Sequence, residues 1–460
     1  MPNQTPIDWD AIGAESLALF QSLLRADTTN PPGRERIAID LLDAWLREDG
    51  MEPWVVESAP ERANLVVRLP ATHPTPGHGP LLLTGHVDVV PADASRWTHP
   101  PFGGEIHDGM IWGRGAVDMK NMVAMCATVM RLFKRTGAPR TRDIIFAAVA
   151  DEEEGCTYGS QFLVDNHPER VRADYMIGEV GGFWLTIGPQ TYMPVMVAEK
   201  GQVHLRLSAE GPSAHGAIPH EDNALARIAR AIDRVSTRRL PYHLTPAVAR
   251  FIAELADAQP APTRQLLRGL LNARLAGPII DRVLPDRANA RNFNALLHNT
   301  VSATMMKVGV KRNVIPPEAA VDLDGRILPG QTAEDLVREV RAVIDDPRVK
   351  IEVISESRAV AVEQVDSPLY AAIREVVGER APEARCVPYM IPGFTDARAF
   401  SQLGARCYGF SPLKLDPAHK LKFSELFHGV DERAPVDGFL WGQRVLWEVV
   451  TRFVSPDRAR

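Results

Sequence analysis

Leu81-Leu82-Leu83-Thr84-Gly85-His86-Val87-Asp88 is an apolar run that ends in a histidine and an aspartate. Its first half, residues 81–84, is short and bounded, and it predicts a strand buried on both faces. Residues 64–69 and 144–149 read the same way. Residues 119–135 precede the last of these strands. They place Met122, Met125, Cys126, Val129, Leu132 and Phe133 at helical spacing, and the methionines read as core packing. Residues 10–25 and 35–49 are also helical in period. Strand–helix–strand alternation predicts an α/β fold, a mainly parallel sheet with flanking helices.

Outward from there the pattern changes. In 203–209, Val203, Leu205 and Leu207 alternate with His204, Arg206 and Ser208, as in a half-buried strand. Residues 222–235 form an amphipathic helix, and 302–310, 320–327 and 349–355 read as strands around a helix at 332–344. The stretch 246–285 is Arg-rich and helical, with prolines at 260, 262 and 278. From about 365 the first pattern returns, with a helix at 368–378, a strand near 405–410 and a helix at 435–453. The expected organisation is therefore one α/β domain made of 1–197 and 361–460. An α+β domain, 198–360, is inserted into it, with an extra helical segment at about 243–290.

The chain has 460 residues, is 45% hydrophobic and carries a formal net charge of −6, which suits a globular protein with a sizeable core. No basic stripe appears, so a nucleic-acid partner is not expected. The first twenty residues lack a basic region followed by an apolar run, and no apolar stretch approaches about 18 residues, so neither a signal peptide nor a membrane span is expected. Four cysteines (126, 156, 386 and 407) form no C-x-x-C pair and suggest no disulfide framework. The cytoplasm is the expected location.

Chemistry-bearing residues recur where strands end. Gly85-His86-Val87-Asp88 follows the strand at 81–84, and Asp88 can support the His86 imidazole as metal-bound histidines require. Gly113-Arg114-Gly115-Ala116-Val117-Asp118-Met119-Lys120 puts Asp118 just before a long helix, where an Asp commonly caps the helix. It is not a dinucleotide fingerprint, because position 118 is Asp. Asp151-Glu152-Glu153-Glu154-Gly155 follows the strand at 144–149, at the kind of carboxyl end where open α/β sheets place sites. Ile177-Gly178-Glu179 and Phe427-His428-Gly429-Val430-Asp431-Glu432 complete the set. His86, Asp118, Glu153, Glu179 and His428 offer two imidazoles and three carboxylates without thiolates, a donor set that suits Zn²⁺, Mn²⁺ or Co²⁺. Five ligands hold two ions if one carboxylate bridges, and Glu152 remains to move a proton. A G-x-S-x-G elbow and a phosphate-binding P-loop are absent, and His220-Glu221-Asp222-Asn223-Ala224 lacks the second histidine of a zincin helix.

Taken together, these five motifs resemble the dinuclear-zinc amidohydrolases, the family of aminoacylase, acetylornithine deacetylase, succinyl-diaminopimelate desuccinylase and the bacterial and yeast carboxypeptidases. The resemblance runs from about residue 10 to 455. It implies a zinc-exopeptidase-like catalytic domain with an inserted lid and dimerisation domain. It implies that His86 and Glu179 bind one zinc, that Glu153 and His428 bind the other, and that Asp118 bridges them, often beside a cis peptide bond. The family's Asp-Glu-Glu-x-Gly makes Glu152 the general base, and Asp88 orients His86. Gly211-Pro212-Ser213-Ala214-His215-Gly216 resembles the inserted-domain motif whose histidine, here His215, reaches the partner subunit's site in a homodimer. Asn313, Arg326, Gly393 and Thr395 match substrate-binding positions, and the planar fork of an Arg suits a carboxylate.

Lys120-Asn121 departs from the more common Gly or Ser after the lysine. Glu179 stands at a position that is Asp in some relatives. The added length at 243–290, with Trp97-Thr98-His99-Pro100-Pro101-Phe102, leans toward the carboxypeptidase and long aminoacylase branch. The expected reaction is hydrolysis, by a metal-activated water, of the amide of an N-acyl amino acid or release of the C-terminal residue of a small peptide; the substrate is a small molecule bearing a carboxylate, and the chain holds two divalent ions, zinc or else cobalt or manganese. The alternatives are a dipeptidase or aminopeptidase, a deacetylase or desuccinylase of the same family, and a non-catalytic metal-binding protein.

Overall fold

The computed structural model describes residues 7–284, 287–362, 364–419 and 421–456. The extreme ends of the chain and two residues of the 243–290 segment thus lie outside the described residues. The chain divides into two compact units: one made of Met1–Val197, Val362–Tyr389 and Thr395–Arg460, the other of Ala198–Ala361 and Met390–Phe394.

The first unit is built on a sheet whose centre is parallel. Ile144–Val149, Leu81–His86, Tyr175–Gly178 and Arg406–Gly409 lie side by side in that order, each parallel to the next. Leu81–His86 and Ile144–Val149 are buried at all six positions, which is why their sequences run apolar without alternation. The helix Lys120–Thr136 connects these two strands and is buried from Lys120 through Phe133. It packs against the helices Trp9–Arg25 and Val436–Val454.

One strand departs from expectation. Arg62–Leu69 is antiparallel to Ile144–Val149. It forms an antiparallel hairpin with Trp54–Ala59 through a tight turn, and this hairpin makes the antiparallel margin of the sheet beside Ile144–Val149. All but Arg68 of its eight residues are buried, so an apolar run alone could not tell it from the parallel strands. Two strands absent from the sequence expectations, Gln190–Glu199 and Ala384–Ile391, contain Pro194 and Pro388. A proline within a run argues against a strand because it donates no ladder hydrogen bond.

The central strands place their carboxyl ends along one edge. His86 is the last residue of its strand, Glu152 and Glu153 follow Ile144–Val149, and Glu179 follows Tyr175–Gly178 directly. The sequence therefore needs no long-range coincidence to gather these side chains; the parallel register does it.

The second unit is an antiparallel sheet in the order Thr300–Val308, Glu318–Ile327, Gly201–Glu210, Lys350–Ser357. Gly201–Glu210 and Glu318–Ile327 alternate in burial, and the buried residues pack against Ala224–Thr237 and Ala333–Ile344. The 243–290 segment holds the helices Pro246–Asp257, Thr263–Gly269 and Ala273–Pro278, and Arg287–Leu297 follows. No helix among the described residues is long and apolar enough to cross a membrane.

Candidate metal centre

His86 and His428 each face one oxygen of Asp118. His86 Nε2 lies 3.1 Å from Asp118 Oδ1, and His428 Nε2 lies 3.2 Å from Asp118 Oδ2. Each imidazole has a second carboxylate of its own: Glu179 Oε2 is 3.6 Å from His86 Nε2, and Glu153 Oε2 is 2.9 Å from His428 Nε2. The result is two donor groups, His86–Asp118–Glu179 and Asp118–Glu153–His428, joined through Asp118. Asp118 does not cap the helix it precedes; that helix starts at Lys120 with no side-chain cap. The Asp118–Met119 peptide bond is cis.

These donors fit metal ions. Two ligands about 2.0–2.1 Å from a tetrahedral ion lie about 3.3 Å apart, and the observed separations of 2.9–3.6 Å bracket that value. The tautomer of His86 fits as well. Its Nδ1 is 3.0 Å from the carbonyl oxygen of Asp88, which can only accept, so Nδ1 carries the proton and Nε2 is the coordinating atom. Glu153 Oε1 is buried with no hydrogen-bond partner among the described residues, an orphan that a cation would satisfy.

The electrostatics point the same way. Burial works to lower the His86 imidazole, yet Asp118, Asp88 and Glu179 hold it well above its ordinary range. Asp118 and Glu153 hold the His428 imidazole up at about 10. Burial lifts Glu179 to about 7 and pushes Glu152 well above the ordinary carboxylate range, with Glu179 adding to the shift on Glu152. Asp118 is the exception: burial works to raise it, but His428 and His86 hold it far below that range. Protons on the imidazoles thus stand where cations belong. Each ion needs its own imidazole neutral, so filling both groups should release about two protons per chain from the imidazoles, and binding should tighten as pH rises. Calorimetry in buffers of different ionisation enthalpy reads the release; binding without it would contradict this picture.

The loops that carry the ligands are fixed by groups that the sequence did not single out. Asp88 does more than face His86, from which its Oδ1 is 3.5 Å away. Its carboxylate accepts the backbone N–H groups of Glu152 (3.1 Å) and Glu153 (3.2 Å) and Asn30 Nδ2 (2.9 Å), so it clamps the acidic run. Asp151 accepts from Asn30 (3.1 Å) and from Arg62 (2.6 Å), which also pairs twice with buried Glu35 at 2.8 Å. Gly155, at φ +103°, turns the run back so that its N–H reaches the Glu152 carbonyl at 3.0 Å. Asp151, Val180 and His428 all hold positive φ, and for β-branched Val180, directly after Glu179, that is a strained backbone.

Glu432 fixes the Asp118 loop. Fully buried, it accepts from Arg114 Nη1 (2.7 Å) and from the N–H groups of Gly115 (3.0 Å), Val117 (2.8 Å) and Asp118 (3.1 Å). Gly115, at φ +90°, lets those amides converge. Glu432→Ala leaves a buried guanidinium and three amides unpaired, and is expected to cost about 3 kcal/mol or more in chemical denaturation. A loss below about 1 kcal/mol would show that the carboxylate does not organise this loop.

The remaining sequence candidates are placed as follows. His215 and Asn313 come together in the second unit through the pairing of Ala214–His215 with Val314–Ile315; Asn313 is exposed, and its carbonyl accepts Gly216 N–H at 2.8 Å. Arg326 does not offer a free fork: its Nε and Nη2 are taken by Asp324 at 2.8 and 3.0 Å. Its Nη1 alone is buried and unpartnered among the described residues. Gly393 belongs to the second unit, with open space where a Cβ would stand. Thr395 is buried in the first unit, and its hydroxyl accepts Ala397 N–H at 3.1 Å. Next to it Asp396, unassigned from the sequence, is buried, and burial raises it to about 6 against the lowering effect of Ser160 and Cys156 beside it.

An α/β unit with a parallel centre and two ligand groups joined by one aspartate beside the strand ends has the framework of a two-metal hydrolase. The chain belongs to peptidase family M20/M25/M40, whose profile matches residues 82–452. It is 31% identical over 386 residues to N-fatty-acyl-amino acid synthase/hydrolase PM20D1 of Homo sapiens, covering 82% of this chain and 74% of that protein. It is 26% identical to aminoacylase-1 of Sus scrofa, covering 96% and 95% of the two chains. Among solved structures, the M20 metallo-carboxypeptidase Sso-CP2 of Sulfolobus solfataricus shares the fold with a TM-score of 0.69 at 17% identity, covering 95% of this chain and 99% of that one.

Proposed function

We propose that the protein hydrolyses N-acyl α-amino acids, R-CO-NH-CHR′-COO⁻ and water giving R-COO⁻ and the free amino acid, with two divalent ions, zinc in the cell. The observation that carries this reading is Asp118, with one oxygen toward His86 and the other toward His428. Two ions in these groups supply a water of lowered pKa and polarise the scissile carbonyl. Glu152 moves the proton. It belongs to neither ligand group, its Oε2 lies 4.0 Å from His86 Nε2, and burial beside Glu179 raises its affinity for a proton, as suits a general base. It takes a proton from the attacking water and hands it to the leaving nitrogen. Asp88 holds Glu152 in place through its backbone N–H.

His215 supplies the oxyanion contact in our reading, from a second copy of the chain. Its Nδ1 accepts Ala217 N–H at 3.1 Å, so the proton sits on Nε2, and the exposed ring presents a donor. A homodimer through the inserted domain is supported by the outer strands Thr300–Val308 and Lys350–Ser357, which expose Met305, Met306, Val353 and Ile354. In the second unit, Asn313, Arg326 Nη1 and Gly393 are groups we assign to substrate binding, with the Arg suited to a carboxylate; Thr395 of the first unit carries the same assignment. Four cysteines outside any disulfide among the described residues, three of them buried, support a reducing, cytoplasmic setting.

The test compares N-acetyl and long-chain N-acyl amino acids, the same compounds with the carboxylate amidated, and free dipeptides, using zinc- or cobalt-loaded protein. Cleavage of the N-acyl amino acids and a large loss on amidation are expected. Cleavage confined to dipeptides with a free amino end would replace this reading with a dipeptidase.

A further inference from the structure

A second kind of donor cluster lies away from the residues used above. Glu105 and His107 stand two apart on the strand Glu105–His107, so both side chains leave the same face. His99 comes to them from the loop that follows the short helix Ala94–Arg96. The His99 and His107 rings stack at 3.7 Å between centroids, 5° from parallel, and His107 Nε2 lies 2.8 Å from Glu105 Oε2. One donor atom from each of the three residues lies within 4.8 Å of the other two. The backbone and neighbours around the cluster are held in place. Trp112 meets the His99 ring edge-on at 4.6 Å, and Arg433 covers Trp112 at 4.6 Å. Thr98, next to His99, gives its N–H and hydroxyl to Asp431, both at 2.7 Å.

We propose that His99, Glu105 and His107 form a peripheral site for one divalent transition-metal ion of the zinc class. Two imidazoles and a carboxylate select zinc, nickel or copper over calcium and magnesium, which want oxygen ligands only. The ion takes the place of the proton between His107 Nε2 and Glu105 Oε2. The ring stack opens by a side-chain rotation, so that His99 also points a nitrogen lone pair at the ion. Glu105 and His107 keep 47% and 39% side-chain exposure, so water completes the coordination. More exposed than the buried donors at the centre joined by Asp118, and with no carboxylate shared between two ions, this site fills at higher free zinc than that centre. It lies at the base of the loop that carries His428, because Asp431 ties Thr98 to that loop three residues beyond the histidine.

The test is equilibrium dialysis of the full chain against buffered zinc at neutral pH, with zinc and protein counted for the unaltered protein and for His99→Ala and His107→Ala. The readout is the difference in zinc per chain, so it stands whether or not the hydrolase reading is correct. At high free zinc the unaltered protein should hold one ion per chain more than either variant. Below that step all three should hold equal zinc and hydrolyse equally. Glu105→Gln keeps the strand intact and should weaken the step by about tenfold or more, since even outer-shell losses cost about that much. Equal zinc in all four proteins across the titration would overturn the proposal, as would a step in the unaltered protein that Glu105→Gln leaves unmoved.

Discussion

Glu152→Gln is expected to leave metal content and fold unchanged while lowering kcat by about 10²–10⁴-fold, the range a positioned general base contributes. The reasoning rests on position. Glu152 is buried, immediately follows a buried parallel strand and sits beside the first ligand group without belonging to it. The amide of Gln fills the same space, and the backbone N–H that binds Asp88 is untouched. What disappears is a group able to accept a proton. Single-turnover rates and metal analysis on the same sample check the prediction; near-normal turnover would remove Glu152 from the chemistry, and lost metal would make it a ligand.

Asp118→Ala should be more damaging because it acts on both ions at once. Each oxygen of Asp118 faces a different histidine, so neither donor group survives the substitution. Loss of an outer partner of a metal ligand costs about 10–100-fold. Here both ions lose a direct ligand, so activity should fall by more than about 10³-fold, and metal per chain should fall at both positions. Glu179→Ala is the control: it touches only the His86 group and should leave the Glu153–His428 group able to bind. Two ions retained in Asp118→Ala would show that Asp118 does not join the groups.

The ligand set was legible because its chemistry is local and its geometry follows from topology. His86, Glu153 and Glu179 sit at or just after strand ends, and parallel strands bring such ends together without further information. The supports were not legible. Asn30 and Arg62 meet Asp151 across 121 and 89 residues of sequence, and no periodicity marks an Asn or Arg for such a contact. Glu432 was visible as the end of the His428 motif, but an acid after a loop gives no sign that it gathers three backbone amides and a guanidinium. Arg326 was singled out by residue type, but nothing in the sequence signalled that Asp324, two residues away on the same strand face, takes its Nε and Nη2 and leaves Nη1. The antiparallel course of Arg62–Leu69 was hidden because burial on both faces erases the alternation that separates strand types.

The most direct measurement is a titration of metal-free protein with zinc or cobalt while following release of free amino acid from an N-acyl amino acid. Two ligand groups joined by Asp118 predict activity that rises with added metal and reaches its plateau at two equivalents per chain. Full activity at one equivalent, or none at two, would contradict a catalytic centre in which both groups act together.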